Sequence, residues 1–114
     1  DENQPLVFVY FNSECDYCEY EAESIYNNLD ALQKIQFLFV STEPLETIRE
    51  FSKIHKLNNQ PKITFLHDST DILYHRFGAS SFPYLLIYDG SQNLVLRHKG
   101  LLNVESILES LKNQ

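Results

Sequence analysis

The passage from Pro5 to Val40 constrains this chain more than any other. Pro5-Leu-Val-Phe-Val-Tyr-Phe11 is an unbroken β-branched and aromatic run, as expected of a strand covered on both faces. Four residues later come Cys15-Asp-Tyr-Cys18, which hold the only two cysteines of the chain. From there Cys18, Ala22, Ile25, Leu29 and Leu32 recur at helical spacing, while Glu19, Glu23, Asn27 and Asp30 fall elsewhere. This pattern predicts an amphipathic helix to about Gln33. Ile35-Gln-Phe-Leu-Phe-Val40 is a second strand of the buried type. Strand, helix and strand of these lengths predict a right-handed parallel βαβ unit.

The two thiols therefore open a helix that follows a buried strand. One helical turn apart, they can close a small disulfide ring and open it again. Unsatisfied N–H groups and the helix dipole favour a thiolate on the outer sulfur. A strand followed by a CxxC helix in a βαβ setting marks a dithiol redox site. Two buried structural cysteines are the bland alternative, and the strand–helix context argues against it. A zinc site needs more ligands than CxxC supplies, and His55, His67, His75 and His98 are scattered without paired spacing. Those histidines read as surface or strand residues, and no metal or other cofactor is expected.

At 114 residues the chain fits one domain, spanning 1–114, with a real hydrophobic core. It has no internal repeat, low-complexity tract or linker. With 43% hydrophobic residues and only 3 Gly and 4 Pro, a compact fold is expected over disorder. The net charge of -7 leaves no basic cluster for phosphates, which argues against a nucleic-acid binder. It also disfavours anionic membrane surfaces. No segment approaches the roughly 20 apolar residues of a membrane span. Asp1 opens the chain without an initiator Met or a signal-like stretch, and the chain is read as a trimmed piece. The acidic surface favours a soluble monomer.

Downstream, Thr42-Glu-Pro44 starts a helix with Pro44 in its first turn and Leu45, Ile48, Phe51 and Ile54 on its apolar face. Asn58-Asn-Gln-Pro61 breaks it. Ile63 to Leu66 is a further strand, and Asp71 to Phe77 a short helix ending near Gly78. Tyr84–Tyr88 and Leu94–Lys99 flank the turn Asp89-Gly-Ser-Gln-Asn93 and form a hairpin. Leu94, Leu96 and His98 alternate against Val95, Arg97 and Lys99, as in a half-covered antiparallel strand. Gly100 bends the chain, and Asn103 caps a last helix carrying Val104, Ile107, Leu108 and Leu111. The class is an α/β sandwich with a parallel first half and a closing hairpin.

With these elements in place the chain resembles the thioredoxin fold almost end to end. The likeness rests on the strand-CxxC-helix at Cys15 and Cys18, on Pro83 just before the first hairpin strand, and on Gly100 before the final helix. The extra segment from Ile63 to Phe77, ahead of Ser81-Phe-Pro83-Tyr-Leu-Leu-Ile-Tyr-Asp-Gly90, resembles the TlpA/ResA-like branch more than plain thioredoxin. That branch comprises bacterial thiol-disulfide oxidoreductases and is related to peroxiredoxins. The resemblance implies a three-layer α/β/α sandwich around a mixed sheet. It also implies a cis Phe82–Pro83 bond against the disulfide, with the Phe82 backbone pairing with a substrate chain in strand fashion. Members are usually exported or membrane-tethered, which implies an extracytoplasmic compartment. The two cysteines alone fix no compartment, and a cytoplasmic one stays open.

The chain departs from thioredoxin at several positions. Where thioredoxin commonly has Trp before the first Cys and Gly-Pro between the two, Glu14, Asp16 and Tyr17 stand here. Val9 occupies the position of thioredoxin's buried Asp. ResA-like members carry a Glu six residues after the first Cys, and Glu21 matches it, which implies a proton-handling role.

On this reading Cys15 is the nucleophile, and Cys18 resolves the mixed disulfide. Tyr17 is expected to face a partner, with Glu14, Asp16 and Phe82 beside it. Tyr10, Tyr20 and Tyr84 are further candidates for a ring around the dithiol. The carboxylates Glu14, Asp16, Glu19, Glu21 and Glu23 oppose a thiolate at the helix mouth, and so predict a reductant rather than a DsbA-like oxidant; the alternative is that they are simply solvated and screened to little effect. The partners are protein thiols and disulfides and an upstream redox donor. Two other readings compete. A peroxidase needs a Pro-x-x-x-Thr-x-x-Cys pattern, and Phe8-Val-Tyr-Phe-Asn-Ser-Glu-Cys15 lacks both the Pro and the Thr. A non-catalytic interaction domain would keep only the fold.

Overall fold

A computed structural model describes residues 3–71, 75–76 and 81–112. Its elements run β1 (Leu6–Tyr10), α1 (Asp16–Tyr26), β2 (Gln36–Ser41), α2 (Leu45–Ile54), β3 (Ile63–His67), β4 (Tyr84–Tyr88), β5 (Leu94–Lys99) and α3 (Val104–Lys112). The strands form one sheet in the order β3-β2-β1-β4-β5. β1 pairs parallel with β2, and β2 with β3, whereas β4 runs antiparallel to both β1 and β5. The parallel βαβ unit and the closing hairpin are both present.

Alternation along the strands gives the sheet two apolar faces. Val7, Val9, Phe37, Phe39, Ile63, Leu85 and Ile87 point to one of them, beneath Ala22 and Ile25 of α1, Ile48 and Phe51 of α2, and Val104 and Ile107 of α3. The two crossovers step the same way across the sheet, so right-handed connections lay α1 and α2 side by side. Tyr10, Val40, Tyr84 and Leu86 form a second cluster on the opposite face. Two residues flanking the undescribed part of the β3–β4 connection lie on this face: Asp71 accepts a hydrogen bond from the Tyr10 hydroxyl, and the Phe82 ring lies 5.3 Å from that of Tyr10. Of the helix expected over 71–77, His75 and Arg76 are helical. The His75 N–H reaches the Asp71 carbonyl at 3.2 Å. The rest of that helix, with its end near Gly78, lies outside the described residues.

Three local features differ from expectation. First, α1 stops at Tyr26 rather than near Gln33, and turns carry the chain from Asn27 to Lys34. Asn27 and Asn28 favour this stop, because Asn side chains compete for backbone partners; the Asn28 amide donates to the Ser24 carbonyl at 2.7 Å. Leu29 and Leu32 still pack on the core from those turns. Second, Leu45 begins α2 and Pro44 is its extended N-cap, outside the first turn. Third, the alternation along β5 is broken. Tyr88 pairs with Leu94 but Ile87 pairs with Leu96, so Val95 is one residue extra. This bulge turns Val95 and Leu96 both toward the core and leaves Leu94 exposed.

The cap at Asn103 is present, its Oδ1 accepting the Ser106 N–H at 2.8 Å. Among the described residues no helix is long and apolar enough to cross a membrane.

Candidate active site

Cys15 is the N-cap of α1, with extended backbone angles (φ −108°, ψ 117°). Its carbonyl accepts the Cys18 and Glu19 N–H groups, both at 3.1 Å. Its sulfur accepts the Cys18 N–H at 3.1 Å as well. A thiol in this position does what a capping Ser or Asp oxygen does, and an anionic sulfur does it better. Both cysteines are free thiols; Cys15 is half-buried and Cys18 buried. Burial pushes the Cys18 thiol well up, helped by its hydrogen bond with Cys15 and by the nearby charge of Glu21. The Asn12 backbone opposes that shift. One half-exposed sulfur thus has a backbone donor beside it, and one sits in the core holding its proton.

The Phe82–Pro83 peptide bond is cis. The Cys15 thiol donates to the Phe82 carbonyl at 3.5 Å, across 67 residues of sequence. The Pro83 carbonyl in turn accepts the Gly100 N–H at 2.7 Å, and Gly100 has a φ of +96°. The three positions that carried the thioredoxin resemblance, the CxxC, Pro83 and Gly100, are therefore linked through hydrogen bonds.

Glu21 lies one turn beyond Cys18 and is fully buried. Its Oε1 accepts the Leu102 N–H at 2.8 Å, and Oε2 has no partner. Burial pushes the carboxyl up to about 7, against the pull of the Leu102 N–H. A buried group with one free oxygen and an affinity near neutrality is equipped to take up and release a proton.

A family model described as a thioredoxin-like domain matches residues 1–114. The chain belongs to the thioredoxin-like domain family. No curated protein matches it. Solved structures share the fold at low identity. A secreted Mycobacterium tuberculosis disulfide oxidoreductase homologous to E. coli DsbE is 16% identical at a TM-score of 0.77, the match covering 98% of this chain and 83% of that one. StoA from Bacillus subtilis is 16% identical at 0.76, covering 96% and 84%. The exposed lipoprotein thioredoxin of Streptococcus pneumoniae strain TIGR4 is 19% identical at 0.75, covering 99% and 87%.

Around the dithiol of this thioredoxin-like chain, Glu14 and Asp16 are exposed. Tyr17 and Tyr20 are exposed too, and meet edge to face at 6.3 Å. Tyr10 and Tyr84, considered from sequence as part of the same ring, belong instead to the cluster on the far sheet face. There the Tyr84 hydroxyl accepts from Arg97 Nε at 3.1 Å. Strand alternation decides this, since both residues sit out of phase with the helix-covered positions.

Glu21 also stands apart from the other acidic residues, being buried where Glu14 and Asp16 are exposed. Its spacing gave a signal: it falls three residues from Cys18 and four from Ile25, on the apolar stripe. Sequence gave no sign of Leu102 as its partner, or of the Glu43 carboxylate that bonds Ser13. These contacts join distant segments, and no local pattern marks them.

Proposed function

We propose that this thioredoxin-like protein exchanges disulfides with protein partners through Cys15 and Cys18, and that it works as a reductant. The contact of the Cys15 sulfur with the backbone before Pro83, at the mouth of α1, carries the reading. In the reducing direction the Cys15 thiolate attacks one sulfur of a partner disulfide and releases the other as a thiolate. Cys18 then loses its proton and attacks the Cys15 sulfur. The second partner thiolate leaves, and both electrons of the new Cys15–Cys18 bond have passed to the partner.

Glu21 receives the Cys18 proton and returns it when the pair is reduced again by an upstream donor. Its position beside Cys18 and its raised affinity support that role. Phe82 and Pro83 offer the backbone edge against which a partner strand lies. Tyr17, with Glu14 and Asp16, contacts the partner around Cys15. The residues 1–114 act as one monomeric unit. The secreted oxidoreductase and the exposed lipoprotein among its structural neighbours support an extracytoplasmic setting.

Trapping tests the reading. Cys18→Ser should accumulate a mixed disulfide between Cys15 and its partner, seen on a non-reducing gel and released by dithiothreitol. Cys15→Ser should give none and should lose all reduction of a protein disulfide such as insulin's. Unimpaired reduction by Cys15→Ser would sink the proposal.

A further inference from the structure

We infer that His98 is a positioning residue for Glu21, its ring holding from one side the peptide unit that donates to Glu21 on the other. The inference rests on the proton-handling role proposed for Glu21 above. His98 Nε2 lies 3.2 Å from the Leu101 carbonyl oxygen. A carbonyl only accepts, so Nε2 carries the hydrogen and donates it. That carbonyl shares its peptide unit with the Leu102 N–H, which donates to Glu21 Oε1 at 2.8 Å. One planar unit thus joins a ring on the edge strand β5 to a carboxyl in the core.

No strand or helix fixes that unit, since β5 ends at Lys99 and α3 begins at Val104. Gly100, with its φ of +96°, turns the chain there, and its own N–H is committed to the Pro83 carbonyl at 2.7 Å. Leu101 is exposed and Leu102 buried, so the peptide between them stands at the boundary with solvent. Strand alternation supplies the residue that holds it. His98 pairs with Leu85, on the sheet face that α1 and α3 cover, whereas Arg97 reaches Tyr84 on the far face.

The bond from His98 acts twice. It aims the Leu102 N–H at Glu21, and a peptide whose carbonyl accepts a hydrogen bond is polarised into a stronger N–H donor. Both effects favour the Glu21 carboxylate, the form able to take the Cys18 proton. Oε2 has no partner, so this carboxyl depends on Leu102. Cys18 is the titratable group that faces Glu21 from α1. From the sheet and α3, the cluster beneath α1 presents Val9, Leu85, Val104 and Ile107, none of them charged.

The step that Glu21 serves can be timed with dithiobis(nitrobenzoate). The Cys15 thiolate breaks the aromatic disulfide, releasing one thionitrobenzoate and keeping the other as a mixed disulfide. Cys18 passes its proton to Glu21, attacks the Cys15 sulfur and displaces the second thionitrobenzoate; Glu21 then loses the proton to solvent. Two electrons leave the dithiol, and one reagent disulfide becomes two thiolates. In wild type the second release should rise with pH through about 7, as Glu21 ionises. In His98→Ala that rise should move up by about half a pH unit, making the second release at pH 6 about threefold slower. The first release, made by Cys15, should stay within about twofold of wild type.

His98→Gln places an NH2 as many bonds from Cβ as Nε2 and cannot ionise, so it should restore the wild-type profile through the bond alone. In a Glu21→Gln background, which lacks the rise, His98→Ala should change nothing. A role in stability alone would lower the melting temperature and leave the profile in place. An unmoved profile in His98→Ala, failure of Gln to rescue, or an equal effect in the Glu21→Gln background would overturn the inference. Should His98→Ala not fold, His98→Thr suits a strand and is too short to reach Leu101; it should move the profile equally, and no movement overturns the inference. Release of fewer than two thionitrobenzoates by wild type would instead count against disulfide exchange, and a rise retained in Glu21→Gln against the role of Glu21. Either failure shows with His98 untouched.

Discussion

Glu21 occupies the stripe of α1 that Cys18, Ala22 and Ile25 make apolar, and its carboxyl is held near 7 against an ordinary value of 4.5. The folded state therefore binds the proton more tightly than the unfolded chain. Stability from this group is fully present below about 4.5 and is lost as pH rises through about 7. A shift of this size corresponds to a loss on the order of 3 kcal/mol between those limits. Glu21→Gln removes the titration while keeping an acceptor for the Leu102 N–H. Its unfolding free energy, from urea denaturation, should gain on wild type between pH 5 and pH 8. A constant difference across that range would show that Glu21 is not buried as an acid. The same residue shows why pattern reading stopped short. Helical spacing puts Glu21 on the covered face, but the N–H that receives it belongs to Leu102, 81 residues away.

Elements obey their local sequence except where side chains or register intervene. Two asparagines end α1 early, and a one-residue bulge rotates Val95 into the core. Neither changes hydrophobic content, which is why periodicity alone overlooks both. The link from β5 to α3 depends on Gly100 in a different way. Its φ of +96° is one that L side chains rarely adopt, and a Cβ there would meet nothing within 4 Å. The cost of Gly100→Ala is therefore conformational rather than steric, about 1–3 kcal/mol. Because the Gly100 N–H holds the Pro83 carbonyl at 2.7 Å, the substitution should also disturb the site. The expected result is a lower melting temperature together with slower insulin reduction. A melting temperature within a degree of wild type would refute the conformational account.

For the molecule as a whole, the net charge of -7 gives the dithiol an acidic surround. Glu14 and Asp16 are exposed beside Cys15, where solvent and salt screen them in part. Glu21 adds a carboxylate in the core, and its charge raises the Cys18 thiol further. A dithiol in which the Cys18 anion is disfavoured gives up its electrons more readily, which lowers the reduction potential. Equilibration against glutathione at pH 7 should place the couple well below the roughly -120 mV of a strong oxidant such as DsbA. A midpoint near that value would remove the assignment as a reductant.

The sequence by itself determined the buried strands, the helix that Cys15 opens, the hairpin turn and the cap at Asn103. Each is written in residues within a few positions of one another, where periodicity and turn chemistry act. The roles of Pro83 and Glu21 were legible only through the likeness to a family, although helical spacing already put Glu21 on the covered face. The tertiary structure alone decided that Phe82 lies on Cys15, that Leu102 meets Glu21, and that Glu43 holds Ser13. It also sent Tyr10 and Tyr84 to the far face of the sheet. The physical reason is common to all four. Strand order and the hand of the crossovers set which distant backbone and side-chain groups become neighbours, and a one-dimensional pattern carries no record of that choice.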